Sequence, residues 1–200
     1  MSIEILAPGL LTSVQDRGRF GFRACGVGMA GAADRWSLDV GNLLVGNDAG
    51  AAALEITVTG PTLRLHRATT IALCGASIDA QVDGTALPGW RPIGLPSGSI
   101  LRLGACRNGA RAYLACDGGI DVAPVLGSRS TDLRGGFGGH GGRVVRAGDS
   151  LPLGAASADT HDAIDIAPWW IDTDQDLDFS DHVAVRVVPG SESTMPADAL

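Results

Sequence analysis

The stretch ALEITVTGPTLRLHRATTIALCGASIDAQVDG, residues 53–84, decides the fold class of this chain. Short runs of apolar and β-branched residues follow one another in it, and turn residues separate them, a pattern that is typical of strands. Strands are therefore predicted at Leu54–Thr59, Thr62–Leu65, Thr70–Cys74 and Ile78–Val82. The Asp83-Gly84 pair that ends the stretch is typical of a tight hairpin turn.

The same pattern extends on both sides of this stretch. Further strands are predicted at Ser2–Leu6, Leu10–Val14, Ser99–Leu103 and Ala110–Cys116, and a further hairpin at Val144–Leu153. Asn108-Gly109, before the strand that begins at Ala110, is another hairpin signal. So many short strands with turn residues at near-regular spacing predict a mainly β fold, a closed or nearly closed antiparallel barrel.

One main helix is predicted at residues 34–45. Asp34 is a good N-cap because its side chain can accept from the N–H group of Trp36 or Ser37. Apolar residues then recur at helical spacing, at Trp36, Val40, Leu43 and Leu44. Gly46-Asn47 suits the C-terminal end of this helix.

Composition excludes several kinds of chemistry. The 200 residues suffice for one large domain or two small ones, and all 15 basic residues are arginine. A Schiff-base lysine, a P-loop lysine and a biotinyl-lysine are therefore excluded on this chain. The net charge of −7 comes from the acidic stretch Ala155–Asp181, and no basic stripe exists, so we expect no nucleic-acid partner.

The four cysteines lie at positions 25, 74, 106 and 116, without the short pairs that close a zinc site. Reduced, buried thiols in a cytoplasmic protein are expected, and no metal site. A signal peptide and an apolar span of about 20 residues are both missing from the sequence, so neither export nor membrane insertion is predicted.

The run GGIDVAPVLGSRSTDLRGGFGGHGG, residues 118–142, is the main candidate site. It has few residues suited to a helix or strand interior, so a scaffold must hold it while its backbone serves a close-fitting contact. Its glycine and serine N–H groups can form a nest for an anion or an enolate-like oxygen. The hydroxyls of Ser128, Ser130 and Thr131 can donate to the same group.

Charged residues in this run leave several roles open. Arg129 and Arg134 can pair with a carboxylate or a phosphate. Asp132 can orient an arginine, accept a proton or cap a turn. Two more loops, Gln15–Gly21 and Gly28–Asp34, are glycine-broken and polar, and a plain surface turn is the alternative for the first of them.

Several segments together resemble one family, the carboxyltransferase-type proteins also described as allophanate hydrolase subunit 2, which include the C-type subunits of bacterial 5-oxoprolinases. The similar segments include LTSVQDRGRFGF (11–22), GAADRWSLDVGNLLVGND (31–48), YLACDGGIDVAPVLGSRSTDLRGGFGGHGGR (113–143) and RAGDSLPLG (146–154). The resemblance implies a cyclophilin-like antiparallel β-barrel.

The resemblance also implies a function shared with other chains. It implies a subunit of an ATP-dependent 5-oxoprolinase that opens 5-oxoproline to glutamate, acting with a B-type subunit and an A-type subunit, with ATP bound on this chain or with the partner. The alternatives are a biotin-dependent carboxyltransferase component of the urea carboxylase type, with biotin on a partner protein, and a non-catalytic regulatory binding protein. Because the chain starts directly on the first strand of the family, a separate subunit is expected, which favours the oxoprolinase.

The resemblance divides the chain into three parts. Residues 1–154 are predicted to form the barrel domain, 155–182 an acidic connector, and 183–200 the start of a second, truncated half, with a strand at His182–Val188. Family members usually continue well beyond this point. The chain is therefore expected to supply one wall of a site for a small amide, and to be inactive alone.

Site residues follow from the resemblance residue by residue. Those predicted to be catalytic are Asp16, Ser128, Ser130 and Asp132. Those predicted to bind substrate are Gln15, Arg19, Gly31, Asp34, Glu55, Gly127, Arg129 and Thr131. We expect Ser128, Ser130 and the neighbouring N–H groups to bind the reacting carbonyl or a phosphate, while Asp16 or Asp132 handles protons.

Overall fold

The computed structural model describes residues 2–155 and 161–173. In chain order the strands are β1 (Ser2–Ala7), β2 (Leu11–Gln15), β3 (Ala53–Thr57), β4 (Thr62–Leu65), β5 (Thr69–Gly75), β6 (Ile78–Val82), β7 (Thr85–Ala86), β8 (Ile93–Leu95), β9 (Ile100–Cys106), β10 (Arg111–Cys116), β11 (Ser150–Pro152) and β12 (Asp165–Ile166). The helical elements are a 3₁₀ helix, Arg23–Cys25, and one α-helix, α1 (Arg35–Leu44).

The strands form two antiparallel sheets of six strands each. The first sheet has the order β11-β1-β4-β9-β6-β7, and the second has the order β12-β8-β5-β10-β3-β2. Side chains from both sheets, among them Ile5, Leu101, Ile56 and Leu114, are fully buried in one shared core. The predicted mainly β class, an antiparallel barrel with one main helix, is confirmed.

The second sheet is buried on both faces. In β10, Ala112, Leu114 and Cys116 point into the shared core, since alternate residues of a strand face opposite sides. The residues between them, Tyr113 and Ala115, pack instead in a smaller cluster under α1. This double burial makes the second sheet the rigid support for whatever follows its strands.

Helix α1 begins as predicted. The Asp34 side chain accepts from the Ser37 N–H at 3.1 Å and from the Ser37 hydroxyl at 2.5 Å. Leu38 is fully buried against the second sheet. After Leu44 the chain turns at Gly46, which has a φ of +76°.

Most predicted strands are present, and their ends differ from the predicted bounds by at most three residues. The Asp83-Gly84 hairpin is confirmed: both residues have positive φ, and β6 pairs with β7 across them. The Asn108-Gly109 hairpin is wrong, because β9 lies in the first sheet and β10 in the second. The hairpin predicted at Val144–Leu153 is also wrong, since only β11 forms there and it pairs with β1.

Part of the predicted acidic connector lies against the sheets. Strand β12 pairs with β8, and Ile164 and Ile166 pack on the shared core. The Trp170 ring centre lies 5.0 Å from the Arg91 guanidinium. The rest of the connector and the predicted strand at His182–Val188 lie outside the described residues, and the domain boundaries stay a prediction.

All four cysteines are free thiols, as predicted, although Cys25 is exposed rather than buried. Burial raises the pKa of the Cys116 thiol to about 12, so this side chain stays protonated at neutral pH. Within the described part of the chain, α1 and the 3₁₀ helix are both too short to cross a membrane.

The cap of α1 gives a first prediction. Asp34→Ala removes the acceptor of two hydrogen bonds, so the free energy of unfolding should fall by about 1 kcal/mol, the usual value of an N-cap. Asp34→Asn keeps an acceptor and should lose a few tenths at most. Urea unfolding of both variants measures the difference, and equal losses would contradict the capping role.

Candidate functional site

The glycine-rich run is attached along the edge of the second sheet. Strand β2 is the last strand of that sheet, so one side of its backbone is open to other partners. The N–H and the hydroxyl of Thr131 both donate to the Val14 carbonyl, each at 2.9 Å. Val145 N–H donates to the Thr12 carbonyl at 2.9 Å. The open edge thus positions the long loop beside the end of β2.

The Asp16 carboxylate lies at the centre of the loops. Its Oδ1 accepts from the Ser128 hydroxyl at 2.6 Å, the Ser130 hydroxyl at 2.5 Å and the Gly18 N–H at 2.8 Å. Its Oδ2 accepts from the Arg129 N–H at 2.5 Å. The anion held by the predicted nest is therefore a side chain of the protein itself.

These contacts fix the charge of Asp16. Burial by itself raises the pKa of this carboxyl, but the hydrogen bonds from Ser128, Ser130 and the two backbone N–H groups outweigh burial, and the pKa is lowered. Asp16 is therefore ionised at neutral pH. In this arrangement its donors are already engaged, and the binding of a substrate by Ser128 and Ser130 stays a prediction.

The first and second loops meet at two glycines. Gly18 and Gly31 have φ values of +90° and +91°, which favour glycine. A Cβ on Gly18 would lie 2.8 Å from the Ala30 carbonyl oxygen, and a Cβ on Gly31 would lie 2.8 Å from the Gly18 nitrogen. Ala32 N–H also donates to the Asp16 carbonyl at 2.9 Å. Glycine at the predicted site residue 31 therefore allows the backbone of the second loop to lie close to the backbone of the first loop.

Arg19 is buried beneath the long loop, with no exposed side-chain surface. Its Nη2 donates to the Ser130 carbonyl at 2.5 Å, and its guanidinium lies 4.7 Å from the centre of the Phe137 ring. Its Nη1 is buried and makes no hydrogen bond, and it lies 3.9 Å from Asp132 Oδ2. A buried cation with an unused N–H group is energetically costly.

Asp132 combines two of its predicted roles. Its Oδ1 accepts from the N–H groups of Arg134 at 3.1 Å and Gly135 at 2.9 Å, so it caps a turn. Its Oδ2 has the Arg19 contact as its one polar neighbour among the described residues. The Asp132 side chain is 13% exposed.

Gln15 joins the same cluster. Its Nε2 donates to the Ser13 hydroxyl at 3.0 Å and to the Thr131 carbonyl at 3.2 Å. Its Oε1 is buried without a hydrogen-bond partner. The structure thus brings together Gln15, Asp16, Arg19, Ser128, Ser130, Thr131 and Asp132.

Two predicted binding residues point elsewhere. The Arg129 guanidinium donates to the Val122 carbonyl at 2.9 Å and to Asp121 Oδ1 at 3.0 Å. Gly127 lies in an exposed turn, where its φ is +77°. Of these two residues, only Arg129 contributes to the Asp16 cluster, through its backbone N–H, and the substrate contacts predicted for Arg129 and Gly127 remain predictions.

Asp34 and Glu55 belong to a second network, under the N-terminal end of α1. The Tyr113 hydroxyl donates to Glu55 Oε2 at 2.7 Å and accepts from the Asp34 N–H at 2.8 Å. Ala33 N–H donates to the same Glu55 oxygen at 2.8 Å. Glu55 is therefore turned inward, toward the loop that precedes α1.

Burial raises the pKa of Tyr113 well above its ordinary value, and the Glu55 charge adds to the rise. Tyr113 therefore stays a neutral donor and holds the second loop against the sheet.

Sequence reasoning missed Tyr113 and Phe137. Tyr113 could have been found from the strand register, because it lies directly opposite Glu55. Phe137 could have been found as the one aromatic residue within residues 118–142.

In the described ranges, no group of three or more histidine, cysteine, aspartate or glutamate side chains is placed to hold a metal ion.

Known proteins resemble this chain over most of its length. The family model for the carboxyltransferase domain, subdomains A and B, matches residues 25–199. The chain is 46% identical over 162 residues to the C-type subunit of the 5-oxoprolinase of Escherichia coli (strain K12), which covers 80% of this chain and 52% of that protein. It is 43% identical over 153 residues to urea amidolyase of Saccharomyces cerevisiae, covering 76% of this chain and 8% of that protein.

A solved structure is similar as well. The crystal structure of the K. lactis urea amidolyase has a TM-score of 0.75 and 41% identity, covering 80% of this chain and 10% of that chain. The chain thus spans about half the length of the E. coli relative and a small part of the urea amidolyases.

The Asp16 cluster gives a second prediction. Asp16→Asn replaces an ionised acceptor by an amide that cannot accept all four hydrogen bonds, so the free energy of unfolding should fall by about 3 kcal/mol at neutral pH. Asp121→Asn is the matched control, because Asp121 is 57% exposed, and it should change the free energy by about 0.5 kcal/mol or less. Urea unfolding measures both, and similar losses would refute the central role of Asp16.

The lowered pKa of Asp16 gives a third prediction, on pH. A carboxyl whose pKa is lower in the folded state stabilises the fold above its unfolded pKa, about 4, and that stability is lost as the pH falls through the folded pKa. The difference in unfolding free energy between the native chain and Asp16→Asn should therefore narrow below pH about 4. Taking this difference cancels the contribution of Asp149, whose pKa is also lowered. A constant difference down to acid pH would contradict the ionised state.

Proposed function

The chain belongs to the family of carboxyltransferase domains, subdomains A and B, and on that premise we propose that it is part of an ATP-dependent amidohydrolase of the 5-oxoprolinase type. Such an enzyme opens 5-oxoproline, a cyclic amide, to glutamate. The relationship to the E. coli 5-oxoprolinase chain supports this substrate. Because that relative is a subunit by name, it also supports action within a complex, for which we propose B-type and A-type partners.

A single observation carries the proposal: the buried Arg19 Nη1 that lacks a hydrogen bond lies 3.9 Å from Asp132 Oδ2. This pair offers one charged donor and one charged acceptor side by side. A small amide presents the complementary groups, a carbonyl oxygen for Arg19 and an N–H for Asp132. The pair therefore matches both polar groups of a lactam ring.

The surrounding residues keep this pair in place. Phe137 and the Ser130 carbonyl fix the guanidinium of Arg19, and Asp16 fixes Ser130 through its hydroxyl. Donors that are already oriented stabilise the charge that develops on a reacting carbonyl oxygen at little further cost. We assign this role to Arg19.

Proton transfer falls to Asp132 in this proposal. Asp16 is saturated with donors and has a lowered pKa, which makes it a positioning residue. Asp132 keeps a reachable oxygen, so it can take a proton from an attacking water or return one to the leaving nitrogen.

The loops do not fit ATP in the form described. The hydroxyls of Ser128 and Ser130 and the N–H of Arg129 donate to Asp16, the Ser128 and Ser130 N–H groups donate to other protein atoms, and the chain has no lysine to reach a phosphate. We therefore place ATP on a partner protein, and no step above depends on it. The free cysteines are in keeping with the cytoplasmic location that we propose.

A second candidate is a carboxyltransferase component that acts on urea or a similar small amide. The relationship to the urea amidolyases favours it, and the Arg19–Asp132 pair suits urea for the same reasons. Biotin would then be carried by another protein, because this chain has no lysine. Carboxylation that requires a biotin carrier would identify this candidate, whereas biotin-independent release of glutamate would identify the first.

A third candidate, a regulatory binding protein, makes a different prediction. It would form a tight complex with a B-type partner and turn over neither amide. Measurable turnover by the assembled complex would exclude it.

The proposed role of Asp132 gives a fourth prediction. In the complex with its partner proteins, Asp132→Asn should slow ATP-dependent glutamate release from 5-oxoproline by about 10²-fold or more, the usual contribution of an acid–base residue. The asparagine oxygen can still accept from Arg134 and Gly135, so the turn is kept.

Asp121→Asn serves as the control for this experiment and should leave the rate unchanged. A rate within about threefold of the native complex for Asp132→Asn, far short of the loss of an acid–base residue, would show that Asp132 does not transfer the proton.

A further inference from the structure

A cleft of about 220 Å³ opens between the first turn of α1 and the turns at Gly75-Ala76 and Asn108–Arg111. A smaller cavity of about 90 Å³ lies on the other side of Ala76 and is lined by Trp90. The residues of the Asp16 cluster do not line either space. The cleft is therefore separate from the site proposed above.

One wall of the cleft is an indole ring held in a fixed position. Trp36 is 47% exposed, and its ring lies 5.1 Å from the ring of Trp90 at an angle of 40°. Trp90 has a φ of +57°, which is unfavourable for an aromatic residue, and its N–H donates to the Leu73 carbonyl at 2.8 Å. Backbone strain of this kind persists where surrounding contacts impose it, and it is frequent at binding sites.

The opposite wall contains no large side chain. Gly75 has a φ of +89°, and a Cβ there would lie 2.6 Å from the Arg111 carbonyl oxygen. A Cβ on Gly109 would lie 3.0 Å from the Ala76 Cβ. The two turns therefore approach each other closely at Gly75 and Gly109. Between them and Trp36 remains a slot with one aromatic wall.

Arg111 supplies charge at one end of the slot. Its side chain is 39% exposed, its Nη1 donates only to the adjacent Ala110 carbonyl at 3.3 Å, and its Nε lies 3.8 Å from Glu55 Oε1 without a hydrogen bond. Arg107, four residues earlier, instead binds Asp79 through two nitrogens at 3.3 and 2.6 Å. Arg111 thus keeps donor capacity that Arg107 has already used.

We propose that this slot binds a small organic anion with a flat apolar body, its carboxylate on Arg111 and its ring against Trp36. A guanidinium matches a carboxylate in geometry, and an indole face matches a flat ring. Two acids lie near this position. Asp34 lines the cleft, and both of its oxygens accept from Ser37. Glu55, beside Arg111, accepts from Tyr113 and from the Ala33 N–H.

The test uses sodium benzoate as the probe and benzamide, which has the same shape without the charge, as its control. In the ¹⁵N-labelled chain, benzoate should shift the indole N–H signal of Trp36 in a saturable way, with the signal identified by its loss in Trp36→Phe. Benzamide and the Arg111→Met variant should each show binding weakened about tenfold or more, since a tenfold change corresponds to one good charged contact. Arg107→Met is the matched control and should bind benzoate like the native chain.

A second variant covers the case that Arg111→Met does not fold. Ala76→Leu fills the slot without changing any charge, and it should abolish the shift. Absence of a saturable shift, equal binding of benzamide, or an equal loss in Arg107→Met would each overturn the proposal. Asp132→Asn should leave benzoate binding unchanged, so failure here is separable from failure of the proposed function.

Discussion

The site depends on one buried charge. Asp16 is ionised within the protein because two hydroxyls and two backbone N–H groups satisfy its carboxylate, which replaces the water it loses. Those donors come from residues 18 and 128–130, so a single side chain joins the end of β2 to a loop more than 100 positions later. A glycine-rich segment has little apolar surface to bury, so burial alone does not offset the conformational entropy that it loses on folding. Hydrogen bonds to the Asp16 carboxylate supply part of the compensation.

A second buried acid supports the same region from below. Glu55 lies opposite Tyr113 in the register of β3 and β10, and together they accept from the loop that precedes α1. That loop contacts the first loop through its glycines. The second sheet, which is packed on both faces, therefore supports the loops that surround Arg19. A stable sheet thus fixes the positions of loops that could not fix themselves.

Sequence pattern predicted the strands that alternate over four or more residues, such as β4 and β6, whose bounds agree with the prediction. It missed β8, three residues between Pro92 and Pro96, because so short a run carries no period. It placed a hairpin at residues 144–153 because it could not tell that β1 would be the partner of β11. Tertiary pairing, rather than local preference, decided these cases.

For the site, the sequence resemblance selected several residues that do lie together, from Gln15, Asp16 and Arg19 to the loop at 128–132, but it did not show what each of them contacts. Nothing local to Ser128 indicates that its partner is Asp16, 112 positions away. The same applies to the Arg19 guanidinium and the Phe137 ring.

The contact of Gly18 with Gly31 has an evolutionary consequence. In each case the obstacle to a side chain is a backbone atom, which no mutation of the other residue can remove. A substitution at either glycine therefore cannot be compensated by a substitution at the other. Both positions should stay glycine during evolution, even where the rest of the two loops diverges.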